Sequence, residues 1–279
     1  MKNTINSKNL LLVLLIFISL ASYLFGYITS ENSAGGGEVD FGFVWRNLQT
    51  FNNHSLFEAI KLTAIPNDEI FQSTRTPGFY ILNKLFNPFI SNIKQFQLSI
   101  FCVSAIIPIV FFFSLKKKFQ EEKKIYLFLI SSILFLSPYF RTSAIWGLEE
   151  NLGIFSAVLS GYFFIAYNEK KYFINNKISL LFLAIASSLC VYFDQKLIII
   201  PLICYFSIIS KKENNKLKLI LTLYYFIFSL PFLYLISIWG NIVPASDAAG
   251  RGILNNFNFY HLGYVLTILG FYFFPLLLF

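Results

Sequence analysis

Two adjacent carboxylates at the start of an apolar segment are the first residues of the chain that suit chemistry. Glu149 and Glu150 open this segment, and Arg141 stands a few positions before them. The helix dipole favours an acid in the first turn of a helix, so one of the two acids needs no further explanation. Both acids together, beside a cation, favour a site, because ionisable residues at membrane depth usually mark function.

Asp40 is a third acidic candidate. It follows the run Gly35-Gly36-Gly37, which lets the chain turn sharply after the first apolar segment. A partly desolvated carboxylate near the membrane surface could take a proton from an attacking hydroxyl group, as a general base does. Asp40 would equally serve as the N-cap of a following helix, and its position in the sequence leaves both roles open.

Cations outside the apolar runs accompany these acids. Four of these cations are candidates for the same site, namely Arg75, Arg141, Lys196 and Arg251. Arginine suits phosphate because its planar guanidinium group matches two phosphate oxygens. Arg75, in a stretch of turn residues, could equally be a solvated loop residue. Lys196 follows Asp194 and Gln195 between two apolar runs with almost no loop, which places it at an interface or in a water-filled cavity.

The composition indicates that the helices that carry these groups lie in a membrane. Hydrophobic residues make up 56% of the chain and charged residues only 13%, against about 25% charged in soluble domains. A helix crosses the bilayer with about 20 apolar residues. The sequence therefore predicts an all-α polytopic membrane bundle of about eight spans, with residues 1–279 as a single transmembrane domain. The spans are Leu10–Ile28, Phe96–Leu115, Ile125–Pro138, Leu148–Ala166, Ile178–Phe193, Leu197–Ile209, Leu217–Trp239 and Leu262–Phe279.

The lysines predict the orientation of these spans. With a cytoplasmic N-terminus, most lysines fall in cytoplasmic segments, whereas the short outer loops hold only Arg141, Lys196 and Arg251, which is the positive-inside pattern. The first run could instead be a secretory signal. Its apolar stretch exceeds the roughly 7–15 residues of the apolar region in a signal peptide, which favours a retained anchor.

Residues 30–94 form the longest predicted loop, on the non-cytoplasmic side, and structureless loops of this length are uncommon. Apolar residues within Asp40–Lys61 recur at the spacing of short amphipathic helices, which are predicted to lie in the outer interface. The loop would bring Asp40 and Arg75 to the membrane face that carries Glu150.

Several classes of site are not indicated. The sequence has neither a P-loop nor a dinucleotide-binding glycine motif, so no nucleotide cofactor is predicted. His54 and His261 are isolated, and the three cysteines lie within apolar runs, so no metal site is predicted. The net charge of +8 is assigned to membrane orientation rather than to nucleic-acid binding.

Five short motifs carry a resemblance to a known family. They are Glu38-Val39-Asp40, Thr76-Pro77-Gly78-Phe79-Tyr80, Ser137-Pro138-Tyr139-Phe140-Arg141, Trp146-Gly147-Leu148-Glu149-Glu150-Asn151 and Trp239-Gly240-Asn241-Ile242-Val243-Pro244. Through the order of these motifs, the sequence resembles the GT-C superfamily of multi-spanning glycosyltransferases. Within that superfamily it looks closest to the dolichyl-phosphoglucose α-1,2-glucosyltransferases and their bacterial relatives. It departs from the pattern because the first-loop acids are not adjacent. It also stops at Phe279 within an apolar run, which suggests a partial member of a longer architecture.

The resemblance implies transfer of a sugar from a polyprenyl-phosphate donor to a lipid-linked or cell-envelope glycan acceptor at a bacterial inner membrane. Asp40 would be the general base that activates an acceptor hydroxyl for attack on the anomeric carbon, with inversion. Glu150 would position or polarise the acceptor, and Arg141 or Arg251 would hold the departing phosphate. The candidate catalytic acids are Asp40, Glu150 and Glu149, and the candidate phosphate ligands are Arg141, Arg251, Lys196 and Arg75.

Two other functions compete with transferase chemistry. A membrane transporter or lipid flippase also places charges among its helices, typically near the bilayer midplane and often in repeated halves. The sequence has no evident internal repeat and keeps its acids at outer helix ends, which favours the transferase. A non-catalytic scaffold would tolerate amides at Asp40 and Glu150.

Overall fold

The chain is helical wherever the structure describes it. The computed structural model describes residues 7–33, 35–64, 75–169, 176–211 and 215–240. The helices are α1 (Ser7–Ile28), α2 (Gly37–Asn53), α3 (Leu56–Ala64), α4 (Gly78–Phe86), α5 (Ile93–Lys118), α6 (Lys124–Ser132), α7 (Pro138–Trp146), α8 (Glu150–Asn168), α9 (Asn176–Phe193), α10 (Ile199–Ile209) and α11 (Asn215–Trp239), with short 3₁₀ helices at Ile133–Leu136 and Gln195–Ile198. No strand occurs among these residues, which confirms the predicted all-α class for them.

Three of the described helices are long and apolar enough to cross a membrane. They are the segments Asn9–Ile28, Ile93–Lys118 and Asn215–Trp239. A fourth crossing results if Lys124–Leu136 and Pro138–Trp146, which meet at an angle of 64°, form one broken span. These helices are consistent with a membrane protein, whereas the count of about eight spans stays a prediction. The last predicted span, Leu262–Phe279, lies outside the described residues.

The predicted span Ile125–Pro138 corresponds to α6 and the 3₁₀ helix that follows it, and a break lies at its end. Ser137 is the N-cap of α7, and its hydroxyl oxygen accepts a hydrogen bond from the backbone N–H of Phe140 at 3.4 Å. Pro138 occupies the first turn of α7, where a missing backbone N–H costs nothing. Ser137 is extended, as the residue before a proline tends to be, and the chain changes direction there.

Helices α8 and α9 form the most extensive helix pair of the described chain, and they meet through small side chains. Ser156 and Ser160 on α8, and Ala184, Ser187 and Cys190 on α9, are all buried. The serine hydroxyls at positions 160 and 187 donate to backbone carbonyls one turn earlier in their own helices. Small residues let two helix backbones approach closely, which is how helices associate in lipid.

The predicted outer loop contains α2, α3 and α4, and helices α2 and α3 confirm the helical periodicity of Asp40–Lys61. The buried hydrophobic residues of α2 are Phe41, Val44, Leu48 and Phe51, which share one helical face. At the C-terminus of α2, the backbone carbonyls of Phe51 and His54 accept hydrogen bonds from the Lys84 ammonium group. These bonds satisfy groups that the helix leaves unpaired. The location of these helices in the membrane interface stays a prediction.

One end of the bundle is rich in lysine. Lys118, in the last turn of α5, forms an ion pair of 3.1 Å with Glu169 at the end of α8. Lys211, just after α10, donates to the side-chain carbonyl of Asn168. The C-terminal ends of α5, α8 and α10 therefore lie together, and the start of α8 lies at the other end of that helix.

Candidate functional site

The two adjacent acids lie in a tight turn between α7 and α8. Gly147 ends α7 with a φ angle of 71°, in the left-handed region that favours glycine. The backbone N–H of Leu148 then donates to the carbonyl of Ser143 at 2.9 Å. Glu149 follows immediately and α8 begins at Glu150, so both carboxylates stand at one end of the bundle.

Arg75 is the cation that pairs with both of these acids. Its Nη1 lies 2.7 Å from Oε1 of Glu149 and 2.5 Å from Oε1 of Glu150. The two glutamate side chains are 3% and 6% exposed, whereas that of Arg75 is 23% exposed. The sequence assigned Arg75 either to phosphate binding or to a solvated loop, and did not predict this contact. A buried pair of acids requires such a partner, because an unpaired buried charge is very costly.

The segment that carries Arg75 is fixed against the end of α9. The hydroxyl group of Thr76 donates to the backbone carbonyl of Tyr192 at 2.7 Å. Gly78, the first residue of α4, packs so closely that an added Cβ would stand 2.3 Å from the same carbonyl oxygen. Thr76 and Gly78 thus position Arg75. Sequence reasoning noted both residues as part of a motif but could not connect them to Tyr192.

The four carboxylate oxygens of the acid pair differ in their partners. Oε2 of Glu150 accepts a hydrogen bond of 3.3 Å from the Ser143 hydroxyl group, and its Oε1 contacts Arg75. Oε2 of Glu149 is buried and has no hydrogen-bond partner within the described part of the chain. Glu149 is therefore the member of the pair with an oxygen left to accept a proton.

The electrostatics of Glu149 agree with this geometry. Burial raises the pKa of the Glu149 carboxyl group to about 7, against the lowering effect of Arg75 and with additional raising effects of Glu150 and Asp194. Glu149 lies in the turn before α8, outside the helices that are long enough to span a membrane. A carboxyl group of this kind changes its charge close to neutral pH, as a proton acceptor must.

Arg141, predicted near the acid pair, forms a separate ion pair. Its Nη2 lies 2.5 Å from Oε1 of Glu31, just after α1, and its Nη1 donates to the Ser22 hydroxyl group. The indole N–H of Trp146 donates to the backbone carbonyl of Glu31 at 3.1 Å. Glu31 is half-buried and ties α1 to α7.

Asp40 lies on an exposed position in the first turn of α2. It is not the N-cap, which corrects that alternative: α2 begins at Gly37 and its N-cap is Gly36, with φ 72°. The side-chain oxygen of Asn32 accepts the backbone N–H of Gly37 at 2.9 Å and so satisfies this terminus. The carboxylate of Asp40 is left exposed in the first turn, where the helix dipole favours a negative charge.

Lys196 and Arg251 are the remaining two phosphate-binding candidates. Lys196 is exposed in the 3₁₀ helix after α9, and its backbone N–H donates to Oδ1 of Asp194 at 3.1 Å. Arg251 lies outside the described residues. The structure therefore brings together Arg75, Glu149 and Glu150, which we call the Arg75 cluster.

A lateral apolar groove of about 460 Å³ adjoins the end of α9. It lies between α9, α10 and α11, and its lining includes Tyr192, Leu202, Phe206, Tyr225, Phe226 and Phe232. The Tyr192 hydroxyl group donates to the carbonyl of Phe228 at 2.7 Å and accepts the N–H of Phe232 at 3.0 Å. One residue, Tyr192, thus lines the groove and also holds the segment that carries Arg75.

The chain matches no family model, no curated protein and no solved structure. Its function is therefore argued from the chemistry of the Arg75 cluster and from the groove beside it.

Proposed function

We propose that this chain is a membrane glycosyltransferase that moves a sugar from a polyprenyl-phosphate donor to a lipid-linked or cell-envelope acceptor, with inversion at the anomeric carbon. The observation that carries the proposal is the buried Arg75 cluster, joined through Tyr192 to an apolar groove. A polyprenyl-phosphate sugar has a long apolar chain and an anionic phosphate, and the groove and the cation offer a complement for each.

The cation and the carboxylates have separate tasks in this proposal. Arg75 would hold the phosphate of the donor and stabilise the negative charge that it gains as the sugar leaves. Glu150, whose two oxygens are held by Arg75 and Ser143, suits a positioning role for the acceptor. Arg141, Lys196 and Arg251 remain candidates for additional phosphate contacts.

Asp40 and Glu149 are the candidates for the general base. Asp40 is exposed and free to approach an acceptor hydroxyl group. It lies at the same end of the bundle as α7, because an added Cβ on Gly37 would stand 2.5 Å from the Thr142 side chain. Glu149 has an unpaired oxygen and a raised pKa but is buried. We assign the base to Asp40, as the residue that a bound acceptor can reach.

The proposed membrane topology places this chemistry on the non-cytoplasmic side of a bacterial inner membrane. The chain would cross about eight times, starting from a cytoplasmic N-terminus, with α2, α3 and α4 in the outer interface. Lys118 of α5 and Lys211, just after α10, lie at the end of the bundle opposite the Arg75 cluster. Lysine-rich ends face the cytoplasm in membrane proteins, so this separation supports the orientation.

A transporter or lipid flippase is the second candidate. It is favoured by the burial of three ionisable groups among the helices, because buried charges in membrane bundles often line ion or substrate pathways. Both functions would use the groove and Arg75 to bind a lipid phosphate. They differ in whether a covalent bond to the sugar is broken.

The proposal is tested with membranes that contain the protein, a series of radiolabelled polyprenyl-phosphate sugars and cell-envelope lipids as acceptors. We expect the wild type to transfer label, and Asp40→Asn to lose transfer by at least about a hundredfold, the scale of general acid–base catalysis. Glu150→Gln should lose transfer on a similar scale, about a hundredfold, because the acceptor is then misplaced. Lys118→Gln is the control, because its exposed ion pair with Glu169 lies at the opposite end. Full activity of Asp40→Asn at equal expression would reject Asp40 as the base.

A further inference from the structure

The Arg75 cluster carries more acid than its guanidinium group balances. Glu149 interacts electrostatically with Arg75, Glu150 and Asp194. Tyr139 and Tyr80 face the same cluster and are neutral at physiological pH. Surplus negative charge is costly in a buried site, so the cluster favours uptake of a proton when a further anion enters.

Both ion pairs of the cluster use the same nitrogen atom of Arg75. Nη1 contacts Glu149 and Glu150 at once, so the two carboxylates compete for one group. Glu150 has a second partner in Ser143. Glu149 depends more on Arg75, because its other oxygen has no partner in the described chain. Of the two acids, Glu149 loses less hydrogen bonding if it gives up its place on the guanidinium group.

The exposure of the three side chains sets the order of events. Arg75 is 23% exposed while the glutamates are nearly inaccessible, so an incoming anion meets the guanidinium group first. A phosphodiester presents two charged oxygens on one tetrahedral atom, which suits a guanidinium fork. Such an anion would compete directly with a carboxylate that is held through a single oxygen.

Resting on the proposed function, we propose that the phosphodiester of the lipid donor replaces Glu149 on Arg75, and that Glu149 takes up one proton from water as it loses the cation. The proton goes to the carboxylate of Glu149, and no other bond is formed or broken. One negative charge enters with the phosphate and one positive charge enters with the proton, so the net charge of the buried cluster stays constant. The adjacent acids then have different tasks, because Glu150 keeps its contact with Arg75 and Glu149 gives its contact up to the phosphodiester.

This exchange links donor binding to pH. Farnesyl methyl phosphate is a suitable probe, because it has a prenyl chain, no sugar and a single negative charge that does not titrate near neutrality. Its Kd for the purified full chain in detergent is measured between pH 6 and 9. Because binding takes up a proton, we expect the wild-type Kd to rise with pH above about 7, approaching about tenfold per pH unit.

Glu149→Gln tests the assignment to this residue, since glutamine mimics a glutamate that is already protonated. We expect this variant to bind the probe with a Kd that does not change with pH, and to bind more tightly than the wild type at pH 8.5. Lys118→Gln, altered in the exposed ion pair at the far end of the bundle, should keep the wild-type profile. Parallel pH profiles for wild type and Glu149→Gln would overturn the proposal.

A measurement on the wild type alone removes any dependence on how the variant folds. Calorimetry at pH 8 in two buffers with different ionisation enthalpies gives the number of protons taken up per bound probe, and we expect about one. Binding without proton uptake, or no binding at all, would overturn the exchange. Sugar transfer by a wild type that binds without proton uptake would leave the proposed function intact. Proton-linked binding without any sugar transfer would reject only the function.

Discussion

The hydroxyl group of Thr76 lies 2.7 Å from the backbone carbonyl oxygen of Tyr192, and this contact joins the segment that carries Arg75 to the end of α9. The two residues are 116 positions apart in the sequence. Because Tyr192 also lines the apolar groove, the contact links the charged and the apolar parts of the proposed site. It can be altered without changing any charge.

Thr76→Val removes this hydroxyl group at nearly constant volume. We expect a loss of about 1 kcal/mol in the free energy of unfolding, the usual contribution of one hydrogen bond, measured by denaturant unfolding in detergent. Thr29→Val is the control, because Thr29 is exposed and its hydroxyl group bonds only within the end of its own helix. Equal stability of the two variants would mean that the Thr76 contact does not hold the segment.

Gly78→Ala tests the close approach of α4 to α9. An added Cβ would stand 2.3 Å from the carbonyl oxygen of Tyr192, so the backbone has to move, and we expect a destabilisation of about 2 kcal/mol. Gly42→Ala has no atom within 4 Å of the new Cβ and lies in α2, so it should stabilise the helix by about 1 kcal/mol. Effects of the same sign on thermal stability in the two variants would contradict the packing described here.

Arg75→Gln leaves two buried carboxylates without their cation. We expect a loss of about 3 kcal/mol or more in stability, because breaking a buried ion pair exposes the full cost of the remaining charge. Adding Glu149→Gln to Arg75→Gln should restore part of the loss, since it removes one of the stranded charges. The test is a double-mutant cycle on thermal unfolding. Additive effects of the two changes would show that Arg75 and Glu149 are not energetically coupled.

The stability of the protein should depend on pH through Glu149. Burial raises the pKa of this carboxyl group to about 7, so the folded state binds its proton more tightly than the unfolded chain does. The wild type should therefore lose stability relative to Glu149→Gln as pH rises from about 5 to about 7. Comparison of thermal unfolding across this range checks it, with Glu122→Gln, an exposed position, as the control. A constant difference between wild type and Glu149→Gln would contradict the burial of an ionisable Glu149.

Local patterns in the sequence predicted the helices better than they predicted the partners of charged residues. Apolar length predicted α1, α5 and α11, and periodicity predicted α2 and α3, since both signals lie within one element. Helix α7 was not predicted, although Ser137 and Pro138 are a recognisable helix start, because its residues fall between two predicted spans.

The pairing of the charges depends on contacts between distant segments. Arg141 was expected beside the acid pair, which stands close to it in sequence, but it pairs with Glu31, 110 positions away. Arg75 reaches Glu150 across 75 positions because the Thr76 and Gly78 contacts hold its segment on α9. No local pattern reports such long-range packing, so the sequence could name the charged residues of the site but could not assign their partners.

Sugar transfer and lipid transport are distinguished with purified protein in vesicles that contain a polyprenyl-phosphate sugar labelled in the sugar, together with an acceptor lipid. Both the covalent transfer of label and the movement of intact donor between leaflets are followed in the same vesicles. If the protein is a glycosyltransferase, label appears on the acceptor. Glu150→Gln then abolishes this transfer, whereas Lys118→Gln does not. Donor that moves between leaflets with its sugar still attached, and no labelled acceptor, would contradict the account and identify a lipid transporter.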